Sequence, residues 1–464
     1  MTVTKTQTSG PTPRPSPTEP RSYHFPAFER RSLPNGMRLV IAPVSKLPLV
    51  SVIAVVDAGA SVEREGQEGV AALTAQLLLE GAGGLDGAAL TDRFERIGTA
   101  VDAHADWDAA TVSLTVLADR IPDALALVRD LLRAPDFPER EVARLKDERL
   151  AELLQLRAEP RALADEQFAR ALYAPTARYA TLAGGSAASV RALTRDVVRG
   201  FYAERYRPGA TTLVIAGDVS VNRALDLART LFDDWQGDAG PAIARAVDAA
   251  ASTRLVRVVA KADASQSEVR VGHTGLPRRH PDYFEATVMN AVLGGLFSSR
   301  INLNLREAHG YTYGAFSAFE WRRAAGPFVI HTAVKTDVTG AAVREILYEI
   351  ERMRSEEIST DELTLATSYL DGVFPIRYET TSAIATALSN LVIHDLPEHF
   401  YDDYRMRVRG VTTAGVLDAA QRHLHPDQLR IVVVGDPALI AAPLAEIQGA
   451  PVETVTPDGA EVAA

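Results

Sequence analysis

Two stretches of this chain, 218 residues apart, carry the same punctuation. Residues 206–219 read Tyr-Arg-Pro-Gly-Ala-Thr-Thr-Leu-Val-Ile-Ala-Gly-Asp-Val, and residues 424–437 read Leu-His-Pro-Asp-Gln-Leu-Arg-Ile-Val-Val-Val-Gly-Asp-Pro. Pro208 with Pro426, Gly217 with Gly435 and Asp218 with Asp436 keep one offset, as do Leu193-Thr194 with Val411-Thr412 upstream. An offset that holds over roughly 26 residues marks a repeated unit rather than two similar strands. Each unit closes as a helix behind a Thr N-cap, a Pro turn, an apolar strand and a Gly-Asp turn. The expectation is an α+β chain of two homologous domains, each an antiparallel-rich sheet with helices packed on one face.

Composition sets the boundaries. The first 20 residues are rich in Thr, Ser and Pro, with no apolar core of signal-peptide length, so residues 1–25 read as a disordered tail. Gln236 to Thr253 is rich in Gly and Ala and reads as a linker, assigned to 236–254. That leaves domains at 26–235 and 255–447 and a flexible tail at 448–464. Strands are expected at Ser51–Ala58, Ala110–Leu117 and Phe328–Val334. Helices are expected at Gly69–Glu80, Thr91–Ile97, Asp119–Arg133, Glu139–Arg157, Tyr283–Leu293 and Ala341–Ser355.

The same numbers exclude several functions. A net charge of −11 with no basic run argues against a nucleic-acid partner. The absence of cysteine removes disulfides, thiolate ligands and Cys nucleophiles together. No window approaches 18 uninterrupted apolar residues, so no membrane partner is expected. The location read from the chain is cytoplasmic, with a periplasmic setting left open.

Several segments together resemble the insulinase/pitrilysin-like family of metallopeptidases. Leu33-Pro-Asn-Gly-Met-Arg-Leu-Val-Ile-Ala42 is similar to the family's opening strand, and Ala58-Gly-Ala-Ser-Val-Glu63 stands where it has G-S-x-x-E. Gly69-Val-Ala71 and Gly98-Thr-Ala-Val-Asp-Ala103 follow at the expected distances. The resemblance covers residues 29–447 and implies two homologous domains forming half of a clam-shell. The family's metal motif is H-x-x-E-H on a helix. Residues i and i+4 share a face, so two imidazoles hold one zinc while the Glu takes a proton from its water. Here those positions are Ala72, Ala75 and Gln76, no two histidines lie four apart anywhere, and the third ligand would fall near Glu152 and Leu153. The resemblance therefore implies no metal and no cofactor in this chain, and no catalytic residue acting alone.

A second motif survives. In Ser299-Arg-Ile-Asn-Leu-Asn-Leu-Arg-Glu-Ala-His-Gly-Tyr-Thr-Tyr313, Ser299-Arg300, Leu305-Arg306-Glu307, Gly310-Tyr311 and Tyr313 match the family's C-terminal pattern. By that resemblance Arg306 would hold a substrate carbonyl or carboxylate, and Tyr313 would donate a hydrogen bond to the oxyanion. Asp102-Ala103 stands at the family's N-A position, on an expected edge strand at 98–105 that could receive a peptide. A chain of this kind resembles the non-catalytic subunit of a heterodimeric zinc peptidase. Its partners would be a peptide substrate and a homologous chain that carries the zinc. A scaffold or peptide-capture protein of the same fold is the alternative. His423-Leu-His425 reads as a solvated helix end, and Pro397 breaks any shared face in His394-Asp-Leu-Pro-Glu-His399.

Overall fold

A computed structural model of the chain describes residues 22–238, 253–447 and 449–462. It contains two six-stranded sheets. The first is built from β1 (Glu29–Ser32), β2 (Arg38–Pro43), β3 (Leu49–Val56), β4 (Val101–Ala105), β5 (Ala110–Leu117) and β6 (Thr211–Gly217), in the order β1-β2-β6-β3-β5-β4. The second uses β7 (Leu255–Ala260), β8 (Gln266–Thr274), β9 (Ala315–Phe319), β10 (Pro327–Lys335), β11 (Arg430–Gly435) and β12 (Val452–Val455), in the order β9-β10-β8-β11-β7-β12. Leaving out β1 and β12, the two orders coincide, and the one parallel pair of that common core, β2 with β6, recurs as β7 with β11.

Local chemistry explains the repeat. Thr194 and Thr412 each accept a hydrogen bond from the amide three residues on, Val197 at 3.3 Å and Gly415 at 3.0 Å, and so start their helices. Pro208 and Pro426 each open a single 3-10 turn before β6 and β11. Gly217 ends β6 at φ +148°, where a Cβ would stand 2.2 Å from the Leu49 carbonyl oxygen, so no larger residue fits.

Within each half, one sheet face is covered by that half's own helices. Leu39, Ile41, Val52 and Ile215 share a core with α1 (Val70–Leu77) and with the helices Ile121–Arg133 and Val221–Phe232. The opposite face is covered from the other half. Val40, Val214 and Ala216 cluster with Ile384, Leu388 and Leu391 of α3 (Thr381–Ile393). Conversely, Val329, Val432 and Val434 of the second sheet cluster with Leu163, Phe168 and Leu172 of α2 (Pro160–Leu172). Sheets buried on both faces explain why β6 and β11 are buried throughout, with unbroken apolar runs at Leu213–Ala216 and Ile431–Val434 instead of alternation.

Pro160 makes the exchange possible. Glu159, held extended before it, ends the helix Glu139–Ala158 and lets the chain turn towards the second sheet. Ser51 Oγ and Thr381 Oγ1 meet at 2.9 Å, and Arg323 reaches Asp57 at 2.5 Å, tying the halves together.

Both expected tails differ in part from the structure. Residues 1–21 lie outside the described residues. Phe25 is buried, stacked on Tyr401 with ring centroids 4.7 Å apart, because the Tyr23-His-Phe25 segment has aromatic surface to bury. At the other end, Val452–Val455 is a strand, pairing in parallel with β7 and burying Val455. Most of the expected linker, 239–252, lies outside the described residues. Among the described residues no helix is long and apolar enough to cross a membrane.

Candidate functional site

The helix that resembles a zinc-binding element keeps its mounting. Glu63 is fully shielded from solvent; it accepts hydrogen bonds from the amides of Gly69 (3.0 Å) and Ala71 (2.7 Å) and pairs with Arg178 at 2.7 Å. Two of the orphan N–H groups around the start of α1 are thereby satisfied, which fixes the helix over β4. Burial pushes the Glu63 carboxyl up, while the Arg178 guanidinium and the two amides pull the other way. At the ligand positions, Ala72 is half-buried, Ala75 is completely buried and Gln76 is exposed. Glu152 is exposed and takes a 2.6 Å hydrogen bond from Arg149, and Leu153 is buried. Two methyl groups, an amide and a carboxylate already engaged by an arginine do not fit a zinc ion.

The second half has the opposite character. Ser299 precedes a short helical turn, Arg300–Asn302, that continues as a wider π-turn over Leu303–Ala308. Arg300 is buried and locked: its Nε and Nη2 donate to the two oxygens of Glu362 at 2.6 and 3.0 Å, and these bonds help hold the Glu362 carboxyl down to about 2. Asn302 ties the segment together, donating to the Phe297 carbonyl at 2.6 Å and accepting from the Ala315 amide at 3.0 Å where β9 begins. The loop then folds back. Gly310 at φ +65° reverses the chain, and the amides of Gly310 and Tyr311 donate to the carbonyls of Arg306 and Leu305.

That frame leaves Arg306 and Tyr313 with little structural work. Arg306 lies over the exposed ring of Phe297, 4.6 Å from its centroid, and its ion pair is with its neighbour Glu307 at 3.6 Å. Tyr313 is 94% exposed, and its hydroxyl makes no hydrogen bond among the described residues. An aromatic side chain standing almost wholly in water contributes nothing to the core.

Tyr313 also stands at the rim of a cavity of about 190 Å³ that spacing gave no means of finding. Its wall includes Phe316, stacked on His331 with centroids 4.9 Å apart, and Arg161 from α2. Its floor is Arg270, which pairs with Asp165 at 2.5 Å and Glu268 at 3.0 Å. Burial holds His331 down to about 4, helped by the Arg270 charge, so it is a neutral imidazole at pH 7. Arg161 belongs to the first half and reaches this place only through the helix exchange.

Asp102 and Ala103 lie on β4, the outer edge of the first sheet, paired only with Ser113 and Val112 of β5. Ala103 is buried under α1, and the Asp102 carboxylate meets His104 Nδ1 at 2.7 Å. Among the described residues no hydrogen bond or ion pair joins this edge to Arg306 or Tyr313. The two pairs occupy matching edges of different sheets, β4 and the approach to β9.

The histidines near the end of the chain differ from their expected setting. His423 is buried and bonded to Asp282 at 2.6 Å, and Arg422 engages the same carboxylate oxygen, so the helix end is an ion-pair hub and not a solvated one. With His280, these residues form the group with metal-ligand chemistry among the described residues, but Asp282 is already neutralised.

Comparison with known proteins gives the context. A family model described as "Insulinase (Peptidase family M16)" matches residues 40–185, and one described as "Peptidase M16 inactive domain" matches residues 192–370. An uncharacterized zinc protease of Streptomyces coelicolor is 23% identical, over 84% of this chain and 86% of its own. A Helicobacter pylori protein described as a non-peptidase homolog is also 23% identical, over 82% of this chain and 87% of its own. Among solved structures, a peptidase M16 inactive domain from Pseudomonas fluorescens superposes with a TM-score of 0.83 at 27% identity, covering 88% of this chain and 98% of that one.

Proposed function

The chain belongs to the insulinase family of peptidases, as an inactive-type homologue, and from that premise we propose that it is the non-catalytic subunit of a heterodimeric zinc-dependent peptidase. In this reading a homologous partner chain carries the zinc, and this chain binds peptide and supplies Arg306 and Tyr313 to the shared site. The observation that carries the reading is the contrast within one motif: Arg300 is sequestered by Glu362, whereas Arg306 and Tyr313 are left free of structural duties.

The chemistry follows from the side chains. The Tyr313 phenol, fully solvated until a substrate arrives, can donate its proton in a hydrogen bond to the oxyanion formed at the scissile carbonyl. The Arg306 guanidinium offers a planar fork to a neighbouring carbonyl or to a terminal carboxylate. The zinc of the partner would activate the attacking water. The β4 edge at Asp102-Ala103 has unpaired backbone groups and would take an extended peptide as an added strand.

The reading is tested by producing this chain with a homologous chain from the same genome that carries H-x-x-E-H, separately and together. Complex formation, with cleavage of unstructured peptides only by the pair, supports it. Two chains that do not associate, or a zinc-bearing chain equally active alone, would leave a scaffold or capture protein.

A further inference from the structure

Arg278 is a buried cation without a counter-ion. The residue is 8% exposed, and none of its five side-chain donors makes a hydrogen bond or an ion pair among the described residues. Its Nη1 is shut off from solvent with no partner. The guanidinium lies instead between two rings, 3.7 Å from the centroid of Tyr283 and 4.6 Å from that of Phe400. Cation-π contact offsets part of the lost hydration, but it leaves the Nη1 donors unsatisfied.

What Arg278 faces is informative. It lines a half-open cavity of about 160 Å³ together with Arg407, His280, Phe284 and Leu396. Arg407 also has no ion pair among the described residues, and it stacks over Phe284 at 5.3 Å. The third arginine of the wall, Arg279, is satisfied by Asp395 at 2.5 Å, and the one lining carboxylate, Asp403, lies 3.6 Å from His399. In a chain of net charge −11, two arginines without carboxylates converge on one hollow. Such an arrangement lacks an anion: a guanidinium is recognised best by the paired oxygens of a carboxylate or a phosphate, and aromatic walls hold it in place for them.

We propose that this cavity is a binding site for a small oxyanion, the carboxylate of a small organic acid or inorganic phosphate, gripped by Arg278 and Arg407. It shares no lining residue with the cavity beside Tyr313, and it does not depend on the chain acting in a peptidase.

Thermal unfolding of the full chain tests this in sodium phosphate, sodium succinate and sodium chloride at matched ionic strength. The expected result is a saturating rise in Tm with phosphate or succinate and none with chloride, and the anion that gives it identifies the ligand class. Arg278→Met should abolish the rise while leaving Tm in chloride unchanged or higher, because an uncompensated buried charge is removed and the apolar stack kept. Arg407→Ala, at a more accessible position, should raise the half-saturating concentration about tenfold, as expected for one charge-assisted hydrogen bond. The proposal is overturned by the lack of a saturating rise with either anion. It is equally overturned by a rise of the same size in both variants, which would mark general salting-out.

Discussion

The two halves of the molecule share a strand order and an exchanged helix, yet they treat their exposed edges differently. In the first half, α1 stays anchored over the edge strand β4 by Glu63 and Arg178, and its outward positions carry small or uncharged side chains. In the second half, Asn290, the last residue of the helix Tyr283–Asn290, is wired to the edge strand β9 through Ser317 at 2.7 and 3.1 Å. Beside that wiring stand two side chains the fold does not use, Arg306 and Tyr313. The bonds that mount α1 do not involve Ala72, Ala75 or Gln76, so the scaffold does not depend on which side chains stand there. Side chains kept in water without structural employment, by contrast, are the ones a partner or substrate would explain.

Substitutions can break or sharpen that comparison. The largest effect is expected for the anchor. Glu63→Ala leaves Arg178 buried without its carboxylate and frees two amides, a loss of about 3–5 kcal/mol that denaturant unfolding would read. If stability barely changes, α1 is held by packing alone and the contrast between mounting and ligands fails. Next comes restoring the motif with Ala72→His, Ala75→Glu and Gln76→His together. Ala75 has no room or water for a carboxylate, so a destabilisation of about 2–4 kcal/mol is expected, with no tight zinc binding by metal analysis. A stable variant that holds one zinc per chain would show that the site is still open.

Arg300→Ala should cost about 2 kcal/mol, less than at Glu63 because Glu362 remains partly solvated. It should also change the acid limb. The Glu362 carboxyl, held down to about 2, contributes stability that is present above its unfolded value of about 4.3 and is lost as pH falls towards 2. The native chain should therefore lose more stability than Arg300→Ala between pH 5 and 3, and parallel pH curves would contradict the pairing. The smallest effect is expected at Arg306→Ala and Tyr313→Phe, each within about 0.5 kcal/mol of the native chain.

How legible this was depended on range. The Thr caps and the Pro turns are short-range chemistry, and each could be read from neighbouring residues. So could β5, which runs over Ala110–Leu117 as expected. The exchange of α2 and α3 could not be read, because both faces of β6 are equally apolar and nothing in the strand says whose helix covers it. The cavity beside Tyr313 was hidden for the same reason: Arg161 lies roughly 150 residues away along the chain. The motif singled out Arg306, and the structure adds the different place of its neighbour Arg300, which is buried and paired with Glu362. Phe25, β12 and His423 differ from expectation because composition and spacing do not register a partner contributed from elsewhere in the fold.

The central claim is that Arg306 and Tyr313 are kept for chemistry in trans, and the most direct measurement is kcat/KM of the reconstituted pair with Arg306→Ala or Tyr313→Phe in this chain, alongside Tm and complex formation. The account predicts a fall of about 100-fold or more for Tyr313→Phe, the scale of a lost oxyanion donor, with Tm and association unchanged. Full activity in both variants would contradict it.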